Sequence, residues 1–275
     1  MKFEEGISLG AEVEYISEYS PDLLFPIARQ QTRDNLGISN ETLPFKGEDI
    51  WNAYELSWLN PKGLPQVAVA AFYFPCDSVA IIESKSFKLY LNSFNQTIFT
   101  SVLDVQQRLV ADLSKACGGG VKVQLTTPDQ WRFEQLAGEP EWLTIDQQDI
   151  STNIYNTDSS LLIVDSEQVV TEQLQSHLLR SLCPVTGQPD WGCLQISYSG
   201  QQINHQGLLR YIVSYREHQE FHEQCVERIF VDLMATYQLD ELTVYARYVR
   251  RGGLDINPYR STADKPLANT RFFRQ

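Results

Sequence analysis

The sequence predicts an α+β chain, with strands and helices mixed rather than wound alternately about a parallel sheet. Three observations carry this. Strand-like and helix-like periodicities lie close together, joined by short connections. The second half repeats the approximate strand–strand–helix–strand order of the first, without obvious residue identity. No G-x-G-x-x-G follows a strand and no G-x-x-x-x-G-K-[ST] occurs, so neither a Rossmann turn nor a P-loop organises the fold.

The elements follow in chain order. The first part of the chain, to about residue 45, is rich in turn formers and reads as an irregular lead-in. "PQVAVAAFYF" (65–74) alternates as a half-buried strand does, and "SVAIIES" (78–84) follows it after the turn "PCD". Between 96 and 116, Ile98, Val102, Val105, Leu109 and Leu113 fall at helical spacing. "GGGVKVQL" (118–125) ends that helix with glycine and opens a strand. The polar stretch "QDISTNIYNTDS" (148–159) marks a boundary, giving halves 1–150 and 151–275. Beyond it "SLLIVD" (160–165) and "EQVVTEQLQSHLL" (167–179) read as extended at least in part, with a helix open for the latter. "WGCLQISYSG" (191–200) reads as a strand, 205–215 and 220–237 as helices, and "ELTVYARYVRRGG" (241–253) as a long strand.

Of the 275 residues, 22 are Lys or Arg and 35 are Asp or Glu, a formal net charge of −13. That balance opposes non-specific binding to nucleic acid or to an anionic membrane, although local arginines can still build one positive pocket. No apolar run approaches the roughly 18 residues a membrane helix needs. "MKFEEGISLG" has neither an apolar core nor a cleavage site, so no signal peptide is expected. The five cysteines are odd in number and lack C-x-x-C spacing, and the four histidines form no H-E-x-x-H. Free thiols, a cytoplasmic location and no metal site are the expectation.

Four stretches carry candidate chemistry. In "EFHEQCVERIFVDLMATY" (220–237), Val226, Ile229, Phe230, Leu233, Met234 and Tyr237 form an apolar stripe whose extension reaches His222 and Glu223. An inward carboxylate must be partnered. It either serves the free N–H groups of the first turn or an arginine, or it accepts the paired N–H groups of a guanine-like or pterin-like edge. "IIESKSFKLY" (81–90) ends a hydrophobic strand at Glu83 and then offers Lys85, Lys88, Ser84 and Ser86: a solvated strand end, or a cradle for phosphates. "RYVRRGGLDINPYRS" (247–261) sets arginines beside Gly252 and Gly253: an exposed turn, or an anion site. Finally, Cys183 lies at the mouth of the irregular segment "CPVTGQPD", where a thiol can meet substrate. Asp190 cannot lower the thiol's pKa by its charge and is better suited to carrying a proton. Spacing does not choose between this pair and a Cys183–His222 hydrolase.

Taken together, the stretches resemble the NADPH-dependent nitrile reductases of queuosine biosynthesis, the 7-cyano-7-deazaguanine (preQ0) reductases, in their long form. The resemblance rests on "ESKSFKLY" (83–90) continuing into "LNSFNQT", on "CPVTGQPDWG" (183–192), "FHEQCVERI" (221–229), "YARYVRRGGLDINPYRS" (245–261) and "DIWNAYELSWLNPKGLPQVAVA" (49–70). It covers nearly the whole chain and is weakest in the first ~40 residues and around 127–160. It implies two tandem tunnelling-fold units with antiparallel sheets and helices packed on one face, a site drawing on both halves, and a homodimer. By the same resemblance Cys183 adds to the nitrile carbon to give a thioimide, and Asp190 protonates the nitrile nitrogen. Two NADPH then take the nitrile to the amine of preQ1, with no metal. Ile81, Ile82, Glu83, Phe221, His222 and Glu223 are implied on the substrate. Ser84, Lys85, Arg251 and Gly252 are implied on NADPH. The alternative is a non-reducing tunnelling-fold protein or enzyme that binds a purine or pterin. The charge makes a free base a better substrate than tRNA.

Overall fold

A computed structural model describes residues 16, 18–130, 142–272 and 274–275. Among them the chain runs β1 (Pro26–Ala28), α1 (Gln30–Arg33), β2 (Glu48–Leu59), β3 (Pro65–Pro75), β4 (Ala80–Ile82), α2 (Ser84–Asn92), α3 (Val102–Cys117), β5 (Lys122–Thr126), β6 (Leu143–Thr144), β7 (Val169–Ser176), β8 (Arg180–Leu182), β9 (Pro189–Gln201), α4 (His205–Ser214), α5 (His222–Thr236), β10 (Leu239–Tyr248) and β11 (Leu254–Ser261). The class is α+β as expected. Antiparallel pairing joins β1 to β4, β3 to β5, β7, β8 and β10 to β9, and β10 to β11, while β6 runs parallel to β7. The chain divides into two compact units. Among the described residues, the first holds those from residue 16 through Thr42, 49–130 and Arg250–Asp255. The second holds Leu43–Glu48, 142–249 and, among the described residues, Ile256–Gln275.

In the first unit the sheet order is β5-β3-β2. Strand β3 buries Ala68, Ala70, Phe72 and Phe74 at alternate positions, as its pattern predicts. Phe72 and Phe74 meet the Phe87 ring of α2 edge-on at 5.0 and 6.2 Å, and Trp51 joins the same cluster. Helix α3 starts at Val102 because the Ser101 side chain accepts the Asp104 N–H, and it stops at Gly118, whose φ of +66° suits glycine. Val105, Leu109, Leu113 and Cys117 are fully buried. Ile98, expected on this helix, precedes the cap and is exposed.

In the second unit the order is β11-β10-β9-β7-β6, with β8 added to β9. Helix α5 packs on β10 and buries Val226, Ile229, Phe230 and Leu233 of the stripe read from the sequence; Tyr237 just beyond it is buried too, and Met234 is half-buried. Glu227 on the same helix meets Arg260 of β11 at 2.8 Å, both buried.

Several expectations are corrected. The stretch 78–84 holds only the three-residue strand β4, because Glu83 turns the chain into α2, a helix unread in the sequence. "SLLIVD" carries a short 3-10 turn at Ser159–Leu161 rather than a strand, whereas 167–179 does contain β7. The long strand read at 241–253 ends at Tyr248. Gly252 and Gly253, at φ of +61° and +81°, then make a tight turn closed between Arg251 and Leu254, which leads into β11. The lead-in is not wholly irregular, since it holds β1 and α1.

Candidate functional site

Strands β8 and β9 form a hairpin in which Ser181 pairs with Asp190 and Leu182 with Pro189. The Cys183 N–H continues the ladder by donating to Gln188 O at 2.9 Å. The turn is closed by the Gly187 N–H donating to Cys183 O at 2.9 Å, with Gly187 at φ of +66°. Side chains alternate across a hairpin, so Cys183 and Asp190 leave the same face as diagonal neighbours, about 7–8 Å apart at Cα. The spacing of "CPVTGQPD" thus has a physical cause: four turn residues return the chain so that the thiol and the carboxyl share a face.

His222 and Glu223 open α5 in the same unit. The approach is fixed by the Leu182 N–H, which donates to His218 O at 2.8 Å. The Gln224 side chain accepts the Phe221 N–H, so Gln224 closes the start of α5. His222 Nε2 lies 3.3 Å from Asp190 Oδ2. Its ring stacks on Tyr248, with centroids 3.7 Å apart and planes at 7°. His222 Nδ1 is buried without a hydrogen bond. Glu223 is buried, as the stripe predicted, and its charge lies where the helix dipole favours it. Here the structure brings together Asp190 and His222 directly, and Cys183 through the hairpin register.

The cysteines separate by burial. Cys183 is 8% exposed, the most open of the five. Cys117 and Cys225 are fully buried, and burial pushes both thiols above the ordinary value, Cys225 further through the nearby Glu220 charge. Both therefore stay protonated and unreactive. Glu220 is itself held below the usual carboxylate range. Burial opposes this, but His218, with Nε2 at 2.9 Å, and Arg228 prevail.

The first unit holds the other sequence candidates. Ile81 and Ile82 are buried in β4 against Ile27 and Pro26. The Glu83 carboxylate caps α2, accepting the Lys85 N–H at 2.9 Å and the Ser86 N–H at 2.7 Å, and is 2% exposed. Ser84 and Lys85 form the first helical positions and are half-buried. Arg251 and Gly252 are exposed on the tight turn. A Cβ on Gly252 would come 3.1 Å from Lys88 Nζ, and Arg250 lies over the Tyr54 ring at 4.1 Å. Lys88 Nζ lies 3.7 Å from Glu55 Oε2, and the Glu55 carboxyl also borders Gly253, so the turn carries a carboxylate among its cations. Within the same basic segment, Asp255, Asn257 and Arg260 are structural. Asp255 accepts from Asn52 and Tyr54, Asn257 from Gln275, and Arg260 pairs with Glu227. Tyr248 was missed in the sequence. It read as one more residue of a long strand, and no spacing rule links it to a histidine 26 positions earlier. Among the described residues, no group of three or more His, Cys, Asp or Glu side chains is placed to hold a metal ion.

The chain is similar to known proteins. Residues 15–125 match the family described as "Nitrile reductase, 7-cyano-7-deazaguanine-reductase N-term", and residues 189–266 match "QueF-like protein". The chain is 54% identical over 272 residues to the NADPH-dependent 7-cyano-7-deazaguanine reductase of Burkholderia lata, with 97% of each chain covered. It is 53% identical over 269 residues to the protein of that name from Paraburkholderia phytofirmans, again with 97% of each covered. Among solved structures, the apo form of the archaeosine synthase QueF-Like aligns to 37% of this chain and 100% of its own, at 15% identity and a TM-score of 0.32.

Proposed function

We propose, since this chain belongs to the NADPH-dependent 7-cyano-7-deazaguanine reductase family, that it reduces the nitrile of preQ0 to the aminomethyl group of preQ1 in the route to queuosine, and that Cys183 carries the substrate as a thioimide while it does so. The observation that supports this most is the hairpin register, which sets Cys183 and Asp190 on one face with His222 against Asp190.

The Cys183 sulfur adds to the nitrile carbon. One C–N π bond opens as the S–C bond forms, Asp190 gives its proton to the nitrogen, and the proton that the Cys183 thiol loses passes to the Asp190 carboxylate. Protonation makes the carbon electrophilic at the moment it is attacked. His222 and Glu223 hold the deazapurine, with the Glu223 carboxylate accepting from the guanine-like N–H edge. Ile81, Ile82 and Glu83 line the substrate, and Glu83 with Phe221 keeps water from the thioimide. Cys183 departs when the S–C bond of the reduced adduct breaks and the sulfur regains its proton, leaving an imine.

Ser84, Lys85, Arg251 and Gly252 are the residues that would hold NADPH; Ser84 and Lys85 open α2, and Arg251 and Gly252 are exposed on their turn. When bound, NADPH supplies hydride. Nitrile to amine is a four-electron change, so two are consumed per substrate. The halves 1–150 and 151–275 correspond to two tunnelling-fold modules in this reading, supported by the two family matches at 15–125 and 189–266. A cytoplasmic homodimer acting on the free base, not on nucleic acid, completes it. No helix among the described residues is long and apolar enough to cross a membrane.

The test is stoichiometry. Purified protein given preQ0 and excess NADPH should oxidise two NADPH per preQ1 formed, and Asp190→Asn should slow this by about 100-fold or more, as loss of a general acid does. Tight binding of preQ0 with no NADPH oxidised would leave a purine-binding protein instead.

A further inference from the structure

We propose that Tyr248 is a positioning residue for the nitrile reduction, acting through His222, and that Gly192 is glycine to make room for it. This rests on the function proposed above and adds a residue to it. The Tyr248 ring lies parallel to the His222 imidazole, with centroids 3.7 Å apart and an interplanar angle of 7°. Tyr248 is fully buried, on β10, and pairs across the sheet with Gly192 of β9. A Cβ at Gly192 would come 3.3 Å from Tyr248 Cδ1 and 3.3 Å from Leu179 Cδ2, so a side chain there would press on the ring. Gly192 has no positive φ to explain it. Its smallness is used for this packing.

The consequence concerns one ring's freedom. His222 Nε2 is set by Asp190 Oδ2 at 3.3 Å, but one contact leaves the imidazole free to tilt about that direction. A flat ring beneath it removes that freedom, because aromatic contacts prefer defined geometries. The other nitrogen, Nδ1, is buried and has no hydrogen bond. A buried polar atom without a partner does nothing to hold the ring, so its position depends on the Asp190 contact and on the stacked ring. Tyr248 therefore fixes the plane in which the imidazole faces Asp190 and the substrate proposed beside it. Its hydroxyl lies by Ser181 and Cys225, while the face of the ring meets His222, so the ring carries the role.

The test reads preQ0 affinity and the rate of thioimide formation, without NADPH, in Tyr248→Phe, Tyr248→Leu, His222→Ala and the Tyr248→Leu/His222→Ala double variant. Tyr248→Phe should stay within about twofold of wild type. Tyr248→Leu should weaken preQ0 binding by about tenfold, the equivalent of about 1.4 kcal/mol. In the His222→Ala background the same leucine should add nothing, because the positioned group is gone. Gly192→Ala gives a second handle that opens no cavity, with a loss of a few fold that also vanishes without His222. If Tyr248→Leu fails to fold, Gly192→Ala decides alone. An equal loss with and without His222, or a phenylalanine variant as impaired as the leucine, overturns the proposal. Absence of adduct in the wild type would instead strike the reductase mechanism and is told apart on that ground.

Discussion

Gly187→Ala isolates the backbone geometry that delivers Cys183. Gly187 sits at φ of +66°, and its N–H donates to Cys183 O at 2.9 Å. An added Cβ would find only Gln219 Nε2, at 3.8 Å, so there is no clash to confound the result. What remains is the conformational cost of a left-handed alanine, about 1–2 kcal/mol. If the turn relaxes instead, the lost hydrogen bond costs about 0.5–1.5 kcal/mol, so both routes give the same range. Asparagine tolerates this conformation better and serves as control. Urea unfolding should show Ala less stable by about that amount, with Asn between Ala and wild type. The rate of preQ0 adduct formation should fall by up to about tenfold in Ala, since 1.4 kcal/mol is a factor of ten. Wild-type stability and wild-type adduct rate in Gly187→Ala, or an asparagine variant worse than alanine, would refute the claim that this turn positions the thiol.

Glu83→Ala removes both bonds to the first turn of α2 and should cost about 1–2 kcal/mol, read as a drop in thermal midpoint. Glu220→Gln tests the pH dependence. The folded carboxyl is held below its ordinary range, so its contribution is present above the unfolded pKa and lost as pH falls through the folded value. The variant should be less stable by about 1–3 kcal/mol near pH 7, and the gap to wild type should close in acid, as followed by urea midpoints across pH.

How far the sequence reaches can be seen element by element. The apolar stripe of α5 and the alternation of β3 were plain because one face of each is buried and the other is not. Strand β11, "LDINPYRS", was hidden because its polar residues are buried with partners far away in sequence: Asn52 and Tyr54 for Asp255, Gln275 for Asn257, and Glu227 for Arg260. No local pattern signals such partners. Helix α2 was missed for a different reason. Its start is capped by Glu83, a residue outside the usual Ser, Thr, Asp and Asn set, and its serines and lysines drew attention as a ligand cradle. Ile98 fitted the helical period of α3, but Ser101 starts the helix after it. At the site, Cys183, Asp190, His222 and Glu223 were all legible as candidates, while the hairpin register and the Tyr248 stack needed coordinates.

The central claim is that Cys183 forms a covalent bond to the nitrile, and intact mass tests it most directly. Protein mixed with preQ0 and no NADPH should gain the mass of one preQ0, a Cys183→Ala control should gain nothing, and added NADPH should discharge the adduct. A wild-type mass unchanged by preQ0, or an adduct that persists in Cys183→Ala, would contradict the account.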